Sequence, residues 1–169
     1  MGKPRAASTT PAHRGGLKLS RSTIPPDVMP FTGYTPRYHG YDNVFKNGDR
    51  YVIGEAKTTT GSLASRTYST RSGEGIRTAL KDTRDLPTRA KVNDIVSRYG
   101  IDENATEHLQ GKAGWVLDYA LRLKNVGDPV GDQVLDALRI GKVDWYEVGV
   151  ELGADGIPSR VDEIFRALD

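Results

Sequence analysis

Tyr41 to Lys57, YDNVFKNGDRYVIGEAK, is the stretch whose reading decides the fold. Asn43-Val44-Phe45 and Tyr51-Val52-Ile53 are dominated by β-formers. Asn47-Gly48 between them is the dipeptide favoured in a two-residue type I′ turn. The stretch predicts a β-hairpin with Asn47 and Gly48 as its loop. In that register Lys46 stands opposite Asp49, and Asp42 stands opposite Ile53. Side chains opposite each other, or two apart on one strand, share a face. Asp42, Tyr51, Ile53, Glu55 and Lys57 then lie on one face, with Asp42 and Glu55 as diagonal neighbours roughly 7–8 Å apart by backbone. Two hard oxygen ligands at such a spacing, beside an ammonium, suit a divalent cation. An ordinary edge hairpin with exposed charges satisfies the same parity.

Working outward, Thr58 to Ser72 reads as a loop or as a third short strand at Ala64–Ser69. Glu74 to Thr83 has helical character, and Asp85-Leu86-Pro87 breaks it. A second helix, with apolar positions at Val92, Ile95, Val96 and Tyr99, stops at Gly100. Glu107 to Lys124 is the longest helical pattern, interrupted early by Gly111 and Gly114. Asp128-Pro129 reads as an N-cap followed by proline at the first helical position, and Gly141 ends that helix after Arg139. Val143 to Leu152 (VDWYEVGVEL) predicts a strand, Ala154-Asp155-Gly156 a turn, and Pro158 to Leu168 a closing helix. Strands, a helical layer and a late strand together predict a mixed α/β (α+β) fold.

The chain has 169 residues, enough for one domain with a real core, expected over 27–169. Residues 1–26 carry Lys3, Arg5, Arg14, Lys18 and Arg21 and no acidic residue, and predict a flexible basic arm or linker. Residues 1–100 hold 17 Lys/Arg and 8 Asp/Glu, net +9, whereas residues 101–169 hold 7 and 14, net −7. That asymmetry points to a polyanion-facing half. Arg37 and His39, beside the aromatic run Phe31, Tyr34 and Tyr38, are candidate nucleic-acid contacts, and so are Arg66 and Arg71. The absence of cysteine excludes thiol catalysis, disulfides and thiolate zinc. His13, His39 and His108 have no zinc spacing. No P-loop or G-x-S-x-G elbow is present. No apolar run predicts a membrane span, and no classical signal peptide is expected after Met1.

Glu55-Ala56-Lys57 is the only [DE]-x-K triplet, where composition alone predicts about one. Its weight comes from coincidence: it ends an apolar strand, an aspartate of matching parity precedes it, and the surrounding half is basic. Asp42-x12-Glu55-x-Lys57 resembles the core motif of the PD-(D/E)xK, or restriction-endonuclease-like, nuclease superfamily. GYDNVF…YVIGEAK is similar to the C-terminal nuclease domains of bacterial polymorphic and contact-dependent toxins. In those domains a later helix often carries glutamine with tryptophan five residues on, and Gln110 and Trp115 match that spacing.

The resemblance implies an αβββαβ core with a mixed sheet and additional helices. It implies phosphodiester hydrolysis dependent on Mg²⁺ (or Mn²⁺ or Zn²⁺). Asp42 and Glu55 would hold the metal, Lys57 would serve the water or the phosphate, and Gln110 would orient Lys57 or the phosphate. DNA is the first expected substrate and RNA, including tRNA, the alternative. A toxin of this kind is a secreted effector acting in the target-cell cytoplasm, neutralised by a cognate immunity protein. A repair or phage nuclease is a second enzymatic reading, and a non-catalytic nucleic-acid-binding module is the rival from another class. The upstream helix that often bears an extra glutamate is not evident, which leaves a third metal ligand unplaced.

Overall fold

The structure is a computed structural model that describes residues 28–30, 40–59, 70–71, 75–81, 83 and 85–169. The hairpin forms, with its loop one residue further on than predicted. Strands β2 (Asn43–Asn47) and β3 (Arg50–Thr59) pair antiparallel, with Asn47 opposite Arg50 and Val44 opposite Ile53. The loop is therefore Gly48-Asp49. Gly48 takes φ +59, a left-handed conformation that costs least at the residue without a Cβ. Sliding the loop by one residue moves every cross-strand partner by two, so the faces are preserved. One step beyond the Asn43–Gly54 pair, Asp42 comes opposite Glu55 instead of Ile53.

The third strand of the meander comes from upstream. Strand β1 (Val28–Pro30) pairs antiparallel with β2. The strand expected at Ala64–Ser69 lies outside the described residues. Just after it, β4 (Thr70–Arg71) joins β5 (His108–Leu109) in a separate two-stranded ladder.

Helices α1 (Gly75–Lys81), α2 (Leu86–Tyr99), α3 (Ala113–Asn125) and α4 (Pro129–Arg139) then lead to β6 (Val143–Leu152). The predicted caps hold for α4, where the Asp128 side chain accepts from the Val130 N–H. Strand β6 runs parallel to β3, from Tyr51 opposite Val143 to Thr59 opposite Glu151. Parallel neighbours cannot share a tight turn and need a long crossover. The helices supply it and pack on one sheet face. There Val44, Ile53, Val143 and Trp145 meet Trp115, Leu117, Leu121 and Leu138 in the main buried cluster.

Two further sequence expectations fail. The helix expected from Glu107 starts only at Ala113. His108 and Leu109 are in β5, and Gly111 turns the chain at φ +86. A Cβ on Gly111 would stand 3.2 Å from both the Trp145 ring and an Arg166 nitrogen, so glycine is needed for conformation and for space. The closing helix is instead β7 (Pro158–Ala167), antiparallel to β6, with an irregularity at Glu151/Leu152. Val161, Ile164, Phe165 and Leu168 have helical spacing. However, β6 would otherwise expose a ten-residue row of backbone donors and acceptors, and pairing with β7 satisfies it. The resulting five-stranded mixed sheet has the order β1-β2-β3-β6-β7.

Candidate functional site

The site lies midway along the parallel pairing of β3 and β6, where Glu55 stands opposite Glu147, and it meets the turn that precedes α3 through the Lys57–Gln110 bond. From Tyr51 to Gly54, strand β3 is uncharged and largely apolar. Glu55 and Lys57 then continue the face set by Ile53, against the helical layer.

Asp42 is tied to the same strand. Its Oδ2 accepts from the Ala56 N–H at 2.7 Å, extending the β2–β3 ladder by one side-chain bond. Next to it, Tyr41 is fully buried. Its hydroxyl donates to the Val116 carbonyl at 2.6 Å, and its ring packs on Trp115 and Tyr119 of α3. Asp42 is thus held from both sides, by β3 and by the buried tyrosine.

Glu55 is only 6% exposed, and its Oε1 is buried without a hydrogen-bond partner. Burial pushes its carboxyl up to about 8, and the Asp42 carboxylate pushes in the same direction. The Lys57 ammonium pulls it down, and a hydrogen bond between the two carboxyl groups raises it again. At neutral pH the Glu55 carboxyl keeps its proton, in a place where a cation would also offset the charge. The Lys57 Nζ donates to Gln110 Oε1, so Gln110 orients the ammonium from the turn before α3 and not from within a helix.

Sequence reasoning missed Glu147. It is fully buried on β6, in register with Glu55 on the neighbouring strand, and its Oε2 accepts from Trp145 Nε1 at 3.4 Å. A lone glutamate inside the apolar run VDWYEVGV was the available signal. Its register with Glu55 comes only from the parallel pairing. Among the described residues, no three His, Asp or Glu side chains converge as a metal cluster, so Glu147 does not complete a three-carboxylate cage.

No protein-family model, no curated protein and no solved structure matches this chain.

The structure brings together Asp42, Glu55, Lys57 and Gln110. Arg37, His39 and Arg66 lie outside the described residues. Arg71 is placed by its backbone in β4, paired with His108. His108 is buried against Gly114, with its Nε2 unpartnered and its basicity lowered by burial, so it packs as a neutral ring. Among the described residues no helix is long and apolar enough to cross a membrane.

Proposed function

We propose that this chain is a metal-dependent nuclease that hydrolyses phosphodiester bonds through a restriction-endonuclease-like core, acting as a DNase toxin effector in competition between bacteria. The observation that carries the reading is the Asp42–Glu55 carboxyl pair. A buried carboxylate with an orphaned oxygen, against a second carboxylate and beside an oriented ammonium, is costly to maintain unless the site uses it. The strand sequence β1-β2-β3, helices, then parallel β6 is compatible with the βββαβ part of that core.

The donor set fits a hard divalent cation. Asp42 and Glu55 would hold Mg²⁺ or Mn²⁺ through oxygen, and Zn²⁺ would find no described histidine or thiolate partner there. A bound cation supplies charge neutralisation at the phosphate and a more acidic water. The chain's own residues do the rest. Glu55 would have to give up its proton to serve as a ligand, so cation binding would strengthen as pH rises. Asp42 keeps its oxygen oriented through the Ala56 N–H. Lys57, steered by Gln110, presents its ammonium to a non-bridging phosphate oxygen and stabilises charge that builds up in the transition state.

Incubation with plasmid DNA and with total RNA, with Mg²⁺, Mn²⁺ or Zn²⁺ and with EDTA, tests the reading and separates DNA from its alternative, RNA. Cleavage should require metal and should fall to background in Asp42→Ala and Glu55→Ala proteins. Undiminished cleavage in excess EDTA, or wild-type rates in either variant, would sink it. As a toxin effector, the chain should inhibit growth when expressed in the cytoplasm and be relieved by a cognate immunity protein, whereas a repair or phage nuclease needs no such partner.

A further inference from the structure

Beside the carboxyl pair, a cleft of about 200 Å³ opens between the turn before α3 and strands β6 and β7. Leu109, Ile164, Trp145, Glu147 and Gln110 line it, and Gln110 also accepts from Lys57. Leu109 is 45% exposed, so one apolar wall is open to solvent. Trp145 and Glu147 are closed off at 1% and 0%. Lys112 and Arg166 stand at the rim, both bonded to the Asp169 carboxylate at 2.8 and 2.7 Å. Arg166 also donates to the Gly111 carbonyl at 2.6 Å, which fixes the guanidinium. The cleft thus carries two positioned cations alongside the Glu147 and Asp169 carboxyl groups.

We propose that this cleft is a subsite for one unstacked nucleobase next to the scissile phosphate, so that the substrate is single-stranded or looped nucleic acid; the proposal rests on the nuclease reading. Three observations converge on it. The cleft is smaller than the roughly 300–1,000 Å³ of sites for drug-sized ligands, which leaves room for one ring system and not for a stacked pair. Its aliphatic lining, Leu109 and Ile164, suits the apolar face of a planar ring, and the positioned Lys112 and Arg166 cations suit the flanking phosphate. Gln110 both lines the cleft and holds Lys57, so the cleft adjoins the place where Lys57 would meet a phosphate. A base stacked inside a duplex cannot enter such a cleft without being flipped out. Single strands and loops offer their bases without that cost.

Fluorescence anisotropy on the full chain in EDTA, which separates binding from cleavage, tests this. The probes are short single-stranded DNA and RNA oligonucleotides in which one abasic position is walked along the strand, and the same sequences as duplexes. One abasic position should weaken binding about tenfold, the order of one buried base face, and duplexes should bind more weakly than single strands. Ile164→Trp, which fills the cleft, should weaken the intact strand by a similar factor and leave the abasic strand unchanged. That unchanged strand also shows that the variant is folded. Leu109→Ala, at an exposed wall, should produce a smaller loss with the same pattern. The subsite is overturned if no abasic position matters, if duplexes bind as tightly as single strands, or if the Ile164→Trp and abasic losses multiply. Metal-dependent cleavage without a base effect overturns the subsite and leaves the nuclease reading standing. A base effect without cleavage overturns the nuclease reading and with it the placement beside a scissile phosphate.

Discussion

Replacing Glu55 by glutamine should flatten the pH dependence of this protein's stability while removing its metal response. The carboxyl sits at about 8, against an ordinary 4.5, because it is buried beside Asp42. Between those two pH values the unfolded chain has released this proton and the folded chain still holds it. The folded state then binds more protons, so stability falls as pH rises. The contribution is fully present below 4.5 and is lost once pH has passed about 8. Each pH unit is worth about 1.4 kcal/mol, so the whole span costs on the order of 5 kcal/mol. Glu55→Gln keeps the shape and has no proton to lose. Urea denaturation in EDTA at a series of pH values should show wild-type stability falling relative to the variant across that window. Mg²⁺ added above pH 8 should restore stability to the wild type alone, by about 2.7 kcal/mol at a hundredfold excess over its Kd. Parallel stability curves for the two proteins would refute the account of a buried, charge-strained carboxyl. A Mg²⁺ response retained in the variant would refute Glu55 as a ligand.

Asp42→Asn keeps an acceptor for the Ala56 N–H but removes the neighbouring charge, so Glu55 should titrate lower than in the wild type; carboxyl carbon NMR reads this, and an unmoved midpoint would contradict the coupling. Gln110→Ala should slow metal-dependent cleavage by about 10–100-fold, as loss of an orienting partner typically does, with Tm nearly unchanged; a collapse of Tm would mean that Gln110 is structural. Gly40→Ala would place a Cβ 1.9 Å from the Tyr119 ring and 2.0 Å from its hydroxyl oxygen. Overpacking of that kind costs about 1–3 kcal/mol, and thermal denaturation with no loss would show that this contact is not made.

Much of the site was legible because strand parity is a local property. Asp42, Glu55 and Lys57 share a face by counting alone, and a slip of the loop by one residue left that result intact because it shifts partners by two. The helices α1, α2 and α4 and the strand β6 were legible for a similar reason: caps, prolines and apolar periods act within a few residues of each other. Gln110 was found by its spacing to Trp115, although the helix expected to carry it begins three residues later, at Ala113. Two nearby glycines and a short β-ladder to Thr70–Arg71 prevail over the helical period there.

The sequence by itself determined the hairpin, the facing carboxylates and the alternation of strand and helix, since each depends on residues close along the chain. Only the tertiary structure decided that Glu147 aligns with Glu55, because register between parallel strands separated by about ninety residues has no local signature. It alone decided that Pro158–Ala167 is a strand, because the exposed edge of β6 outweighs a helical apolar period. It also decided how deeply Glu55 is buried, and that burial is what turns a common triplet of residues into a carboxyl held at about 8 beside an oriented lysine.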